Sequence, residues 1–143
     1  DGFWNEIKDI AGVTLVAEAS SPVAEEAIER AADIITAHPD IDLMYGCNAG
    51  GLIGAVLAVK NSGKKIPVFG IDLDKQIVGF LKSDDNILQA STAQDPFKIG
   101  ALAMENAIKS LKGEAVDKEI IVPGLTLSRT NPEAVAEYAK TVK

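Results

Sequence analysis

Strand-prone and helix-prone segments alternate along this chain from its first residues to its last, and that alternation restricts the fold more than any other feature. Residues 3–10 put Phe3, Trp4, Ile7 and Ile10 on one helical stripe. Residues 13–19 (VTLVAEA) are short and β-prone, and Ser20, Ser21 and Pro22 punctuate them. Ser21 is placed to cap a helix with Pro22 in its first position. Ala24, Ala27, Ile28, Ala31, Ile34 and Ile35 then recur at helical spacing until His38-Pro39 stops the run. A strand is expected over residues 41–45, and an alanine-rich helix over 49–61 that Gly63 closes. Residues 67–71 (PVFGI) read as a strand buried on both faces. A short helix over 74–81 is capped by Asp74, and residues 87–90 form the next strand. Asp95-Pro96 open a long helix to residue 112, which Gly113 ends. Residues 120–122 and 125–127 are short strands or a crossover, and Asn131-Pro132 start a final helix.

This order predicts an α/β fold: a doubly wound, mainly parallel sheet with helices on both faces, in the manner of a flavodoxin-like lobe. Such a sheet usually begins with a strand, commonly the central one, whereas this chain begins with a helix. The sheet is therefore read as lacking its leading strand, and Asp1, with no initiator Met, as a processed or truncated start. A missing strand leaves unpaired backbone groups. The chain is accordingly expected to form a homodimer, swap elements or pair with a separate N-terminal fragment.

Composition narrows the function classes. Of 143 residues, 47% are hydrophobic but only 5% aromatic, so the core must be built from Ala, Val, Ile and Leu. The net charge of −7 disfavours nucleic acid or an anionic membrane as partner. A single cysteine, Cys47, rules out a disulfide framework, and a single histidine, His38, removes most Ser/His and His-ligated metal chemistry. No apolar run is long enough to cross a membrane, and no signal peptide stands in the sequence.

In a parallel sheet the ligand lies beyond the carboxyl ends of the strands. The residues there are Ser20 and Ser21; Cys47 and Asn48; Asp72 and Leu73; and, after residues 87–90, Ser91, Thr92 and Gln94. Asn48, Asp72 and Gln94 carry the chemistry. A carboxylate accepts hydrogen bonds and an amide both donates and accepts, which suits the hydroxyls of a polyol. Phosphate would call for a base or a glycine nest, and no tip carries a base. Each residue also has a plainer reading. Asn48 can cap the helix at Ala49, Asp72 can cap or turn before Asp74, and Gln94 can be solvated loop. Cys47 reads as a small buried packing residue, with no histidine placed to activate it. Gly50, Gly51 and Gly54 lack dinucleotide-binding spacing and read as close helix–sheet packing. Asp84, Asp85 and Asn86 read as a turn rather than a calcium loop. No catalytic residue, metal or cofactor is implied.

Several segments resemble a known family, the type I periplasmic sugar-binding proteins of the ribose-binding-like group, a fold also used by lactose-repressor-type effector domains. They are Gly2-Phe3 with the helix after it, residues 35–64 (ITAHPDIDLMYGCNAGGLIGAVLAVKNSGK), residues 66–76 (IPVFGIDLDKQ) and residues 87–114 (ILQASTAQDPFKIGALAMENAIKSLKGE). The resemblance is to the C-terminal part of that family. It implies that Asn48, Asp72 and Gln94 bond sugar hydroxyls, with Gln94 at a hinge crossing. It implies that residues 1–94 belong to the second lobe, 95–118 to a hinge crossing and a helix of the first lobe, and 119–143 to returning strands and a C-terminal helix. The implied function is non-catalytic: a periplasmic or extracytoplasmic receptor that hands a sugar or related polyol to the membrane permease of an ABC importer. A sensing role in a repressor or membrane receptor is the alternative. Here the family's usual Asp after the Asn is replaced by Ala49-Gly50, and the aromatic expected near Ser20-Ser21 is missing.

Overall fold

Four helices of this chain start in one way. The computed structural model describes residues 2–21 and 23–142, so the expected role of Pro22 at a helix start lies outside the described residues. Asn48, Asp74, Asp95 and Asn131 each use a side-chain oxygen to accept the backbone N–H three residues on, from Gly51, Ile77, Lys98 and Ala134. These bonds satisfy donors that a helix start leaves without intrahelical partners. They fix the starts of α3 (Ala49–Ser62), α4 (Lys75–Lys82), α5 (Pro96–Leu111) and α6 (Pro132–Tyr138). Gly63, at φ 70, closes α3 in the left-handed conformation that favours glycine. The remaining helices are α1 (Gly2–Ile7) and α2 (Ala24–Ala37).

The strands are β1 (Met44–Gly46), β2 (Val68–Ile71), β3 (Leu88–Ala93) and β4 (Leu125–Ser128), arranged β1-β2-β3-β4. The first three run parallel, joined through α3 and α4, and β4 pairs antiparallel with β3. The sheet is thus mainly parallel, as expected. Leu52, Val56 and Val59 of α3 pack on it with Val68, Leu88 and Ile77 to form the core. Glycine lets the layers approach. A Cβ on Gly70 would stand 2.7 Å from both the Gly46 carbonyl oxygen and Leu52 Cδ1. A Cβ on Gly54 would collide with Ala27, which explains how α2 lies so close to α3; the close packing at that glycine is helix on helix, not helix on sheet as expected. Gly46 faces α3, so Tyr45, the alternate residue, faces the other way, where the Phe3 ring of α1 stacks on it at 3.7 Å. Helices therefore stand on both faces of the sheet.

Several expected boundaries move. Residues 13–19 join no sheet; Val13, Leu15 and Val16 are exposed, because no neighbouring strand meets them and β1 is an edge. The strand expected over 41–45 starts only at Met44, whose N–H finds the Pro67 carbonyl at 3.0 Å, while the Ile41 N–H turns back to His38. β2 alternates buried and half-buried residues instead of being buried on both faces. β3 runs on to Ala93, since β2 pairs with Ser91 and Thr92 on one side and β4 pairs along Ala90–Ala93 on the other. Residues 120–122 form no strand. Ser21 does not cap α2: Val23 precedes that helix without a side-chain cap, and the Ser21 hydroxyl bonds Val23 O at 3.0 Å. Asp84 and Asp85 do form a turn, as read.

Candidate functional site

The parallel order of β1, β2 and β3 brings their carboxyl ends to one edge of the sheet, where the Asp72 and Gln94 side chains meet, while Asn48 lines neither of the depressions beside them. Asp72 is the hub. Its Oδ2 accepts the Ala49 N–H at the start of α3 at 2.9 Å, and its Oδ1 accepts from Gln94 Nε2 at 2.9 Å. One carboxylate thus ties together the tips of all three strands. The chain reaches this arrangement through an unusual backbone: Asp72 stands at φ 78, a left-handed conformation that few residues other than glycine adopt. Its own N–H donates to the Thr92 carbonyl, and its carbonyl accepts the Ser91 hydroxyl at 2.7 Å.

Asn48 takes the capping role: its Oδ1 accepts the Gly51 N–H at 2.7 Å. Among the described residues its Nδ2 makes no hydrogen bond, so the amide still has donors facing solvent. Asp74, not Asp72, caps α4, leaving Asp72 to the strand tips. A carboxylate offers about four lone-pair sites, two of which are taken here. Asp72 can therefore receive further donors, and Gln94 is exposed beside it.

Two shallow depressions flank the Asp72–Gln94 pair. One, of about 540 Å³, is bounded by Asp72, Leu73, Gln94, Pro96, Ile99 and Tyr138 among others; the other, of about 470 Å³, by Tyr45, Cys47, Ile71, Thr92, Gln94 and Val122. Among the described residues the linings hold no Lys or Arg; apolar side chains stand beside Asp72, Asp74 and Gln94 in the first and beside Tyr45, Thr92 and Gln94 in the second, groups that accept from or donate to ligand hydroxyls. Cys47 is exposed and lines the second, so the buried-packing reading of this residue is corrected: β1 ends at Gly46 and the thiol lies past the ladder. Beside it, burial pushes the Tyr45 phenol above its ordinary 10.0, and Cys47 adds to the rise. Leu73 lines the first depression. Ser20 and Ser21 border neither, because the segment before them is not held in the sheet. Tyr138, whose hydroxyl reaches the Leu73 carbonyl at 3.4 Å, and Ile99 carry no sequence signal; only the packing of α6 and the start of α5 brings them here. The Ala49 amide is likewise a site group that side-chain reasoning overlooks.

A family model described as a periplasmic binding protein domain matches residues 1–115. The ribose import binding protein RbsB of Bacillus subtilis (strain 168) is 38% identical over 91 residues, which are 64% of this chain and 29% of that protein. The ABC transporter periplasmic-binding protein YphF of Escherichia coli (strain K12) is 28% identical over 84% of this chain and 37% of its own length. Among solved structures, an ABC transporter solute binding protein from Agrobacterium vitis with bound D-fucose superposes with a TM-score of 0.81 at 26% identity, over 99% of this chain and 48% of that one. GanP, a glucose-galactose binding protein from Geobacillus stearothermophilus, superposes at 0.82 with 22% identity, over 91% of this chain and 47% of that one, a likeness of fold. The chain spans about a third of the length of these curated relatives and about half that of these solved structures.

Proposed function

The chain belongs to the periplasmic binding protein domain family, and from that premise we propose that it binds a sugar or related polyol at the carboxyl ends of β1, β2 and β3. The observation that carries this reading is the Asp72 carboxylate, which bridges the Ala49 amide and Gln94 and keeps acceptor capacity towards the depression. Asn48, Asp72 and Gln94 are the hydroxyl-binding groups. Leu73 and Cys47 are wall residues. Ser20 and Ser21 join them only if the preceding segment is drawn into the sheet. No step of bond making is involved: the protein takes up the solute outside the cytoplasm and delivers it to the permease of an ABC importer. The names of the relatives, ribose import binding protein and ABC transporter solute binding protein, support that assignment.

The division of labour along the chain follows the same reading. Residues 1–94 form one lobe, 95–118 cross a hinge and supply a helix to the other, and 119–143 return. In support, α5 has no buried residue, and Phe97 and Leu111 are each 89% exposed, as befits a helix whose apolar side is made for another body. The open edge of β1 takes an added strand from a second copy or from further chain.

Calorimetric titration with pentoses, hexoses and polyols tests the proposal. It is run on the chain alone and on the chain with any residues its gene encodes upstream. Heat with at least one sugar, abolished by D72A, is the expected result. No binding to any of them in either form would sink it.

A further inference from the structure

We propose that Ser91 is the positioning residue of this site: its buried hydroxyl holds Asp72 in the left-handed turn that aims the carboxylate at Ala49 and Gln94. The inference rests on the reading of Asp72 as a sugar-binding group.

Ser91 is 1% exposed and is the one polar side chain among the buried described residues. It sits in β3 between Leu88 and Ala93, opposite Gly70, in a layer otherwise built of apolar side chains. A buried hydroxyl is unfavourable without a partner, and here the partner is a particular one, the Asp72 carbonyl at 2.7 Å. Residue 72 is where the chain leaves the ladder. Its N–H still pairs with the Thr92 carbonyl, as a parallel ladder requires. Its carbonyl, turned away by the positive φ, has lost the strand partner it would have had. The Ser91 hydroxyl replaces that partner. Both backbone polar groups of Asp72 are then tied to adjacent residues of β3, and the rotation about its Cα is decided. With the backbone set, the two carboxylate oxygens fall within 2.9 Å of a backbone amide and a glutamine amide on different elements. Without the hydroxyl, Asp72 can relax to an extended φ, the conformation an L-residue prefers, and the carboxylate swings off both donors. Asp72 itself is legible as a site residue. Ser91 acts one step behind it and touches no ligand.

The test compares S91A and S91T with the wild-type chain through three readouts: sugar affinity by calorimetry, the Asp72 HN–Hα coupling and Cα shift by NMR, and Tm. S91A is expected to weaken affinity about tenfold, which corresponds to about 1.4 kcal/mol, and to lose the left-handed NMR signature of Asp72. S91T, which restores the hydroxyl, is expected to keep that signature and to bind within about threefold of wild type. The idea is overturned if S91A keeps the signature, or if affinity falls while the signature stays. A loss of Tm with both unchanged would also overturn it, since Ser91 would then be structural only. Should S91T prove too bulky to fold, S91A alone decides. If the wild type binds no sugar, the proposed function fails, while the NMR comparison still settles whether Ser91 holds Asp72.

Discussion

Replacing Asp72 by glycine should damage this protein less than replacing it by alanine, the reverse of the order at most positions. Alanine is ordinarily the safer choice because glycine loses more backbone freedom on folding, by roughly 0.5–1 kcal/mol. At φ 78 the balance changes. A Cβ in the left-handed region costs roughly 1–2 kcal/mol, which glycine avoids and which Asp tolerates better than Ala through local hydrogen bonding. Both variants lose the two bonds of the carboxylate, to Ala49 N–H and to Gln94 Nε2. The first resembles a helix cap, worth about 1 kcal/mol, and the second is exposed and worth about 0.5 kcal/mol. D72A should therefore lose about 2–3 kcal/mol, and D72G about 1 kcal/mol less than D72A. D72N, able to stay left-handed but offering one acceptor oxygen instead of two, should fall nearest to wild type. Urea unfolding followed by circular dichroism, with a shared m-value, measures all three. All three should also bind sugar more weakly, so stability and affinity will rank the variants differently. A glycine variant less stable than the alanine one would refute the backbone argument, and with it the geometry from which the role of Ser91 is inferred.

Arg129 offers a second check, because its guanidinium donates to the carbonyls of Leu88, Ser83 and Phe80 at 2.7, 2.6 and 2.7 Å, pinning the end of α4 to the start of β3. R129M should cost about 3 kcal/mol in chemical denaturation and R129K, with one point charge in place of a fork, somewhat less; a loss under about 1 kcal/mol would show that water replaces the clamp. G70A should destabilise by more than about 2 kcal/mol, measured the same way, since its Cβ meets both Leu52 and the Gly46 carbonyl, and the latter belongs to the adjoining strand and cannot turn aside as a side chain can. Asp85 sets a small acid dependence. Partial burial works to raise its carboxyl, but bonds from Ser83 and Ile87 and the Lys60 ammonium at 3.2 Å outweigh it and hold the group below its ordinary 3.8. A carboxyl depressed in the folded state stabilises above the unfolded value and loses that contribution as pH falls through the folded one. D85N should accordingly reduce stability at pH 6 by under about 1 kcal/mol, because the pair is solvent-exposed, and should cost less at a pH below 3.8, where the folded carboxyl takes up its proton. An equal deficit at both pH values would remove the charge from the explanation.

The sequence by itself determined the order of elements, because that order is written in local terms. Caps such as Asn48, Asp74, Asp95 and Asn131 act on amides three residues away, Gly63 acts on its own φ, and apolar periodicity needs only the helix it belongs to. The same local reading placed Asn48, Asp72 and Gln94 at strand tips, since a parallel sheet puts every tip at one edge. What required the tertiary structure is whatever depends on a partner far along the chain. The β-prone residues 13–19 form no strand for want of a neighbour, and β3 extends through Ser91 and Thr92 because β2 and β4 pair with them on either side. Cys47 is exposed because β1 stops one residue earlier. The cluster of strand tips changed most. Three polar residues of similar standing became a hierarchy in which Asp72 joins Gln94 and the Ala49 amide, Asn48 caps α3, and a hydroxyl nineteen positions away, at Ser91, holds Asp72 in place. Strand pairing is a two-body property, and a left-handed φ is sustained by contacts on another strand, so neither is readable from the segment in which it occurs.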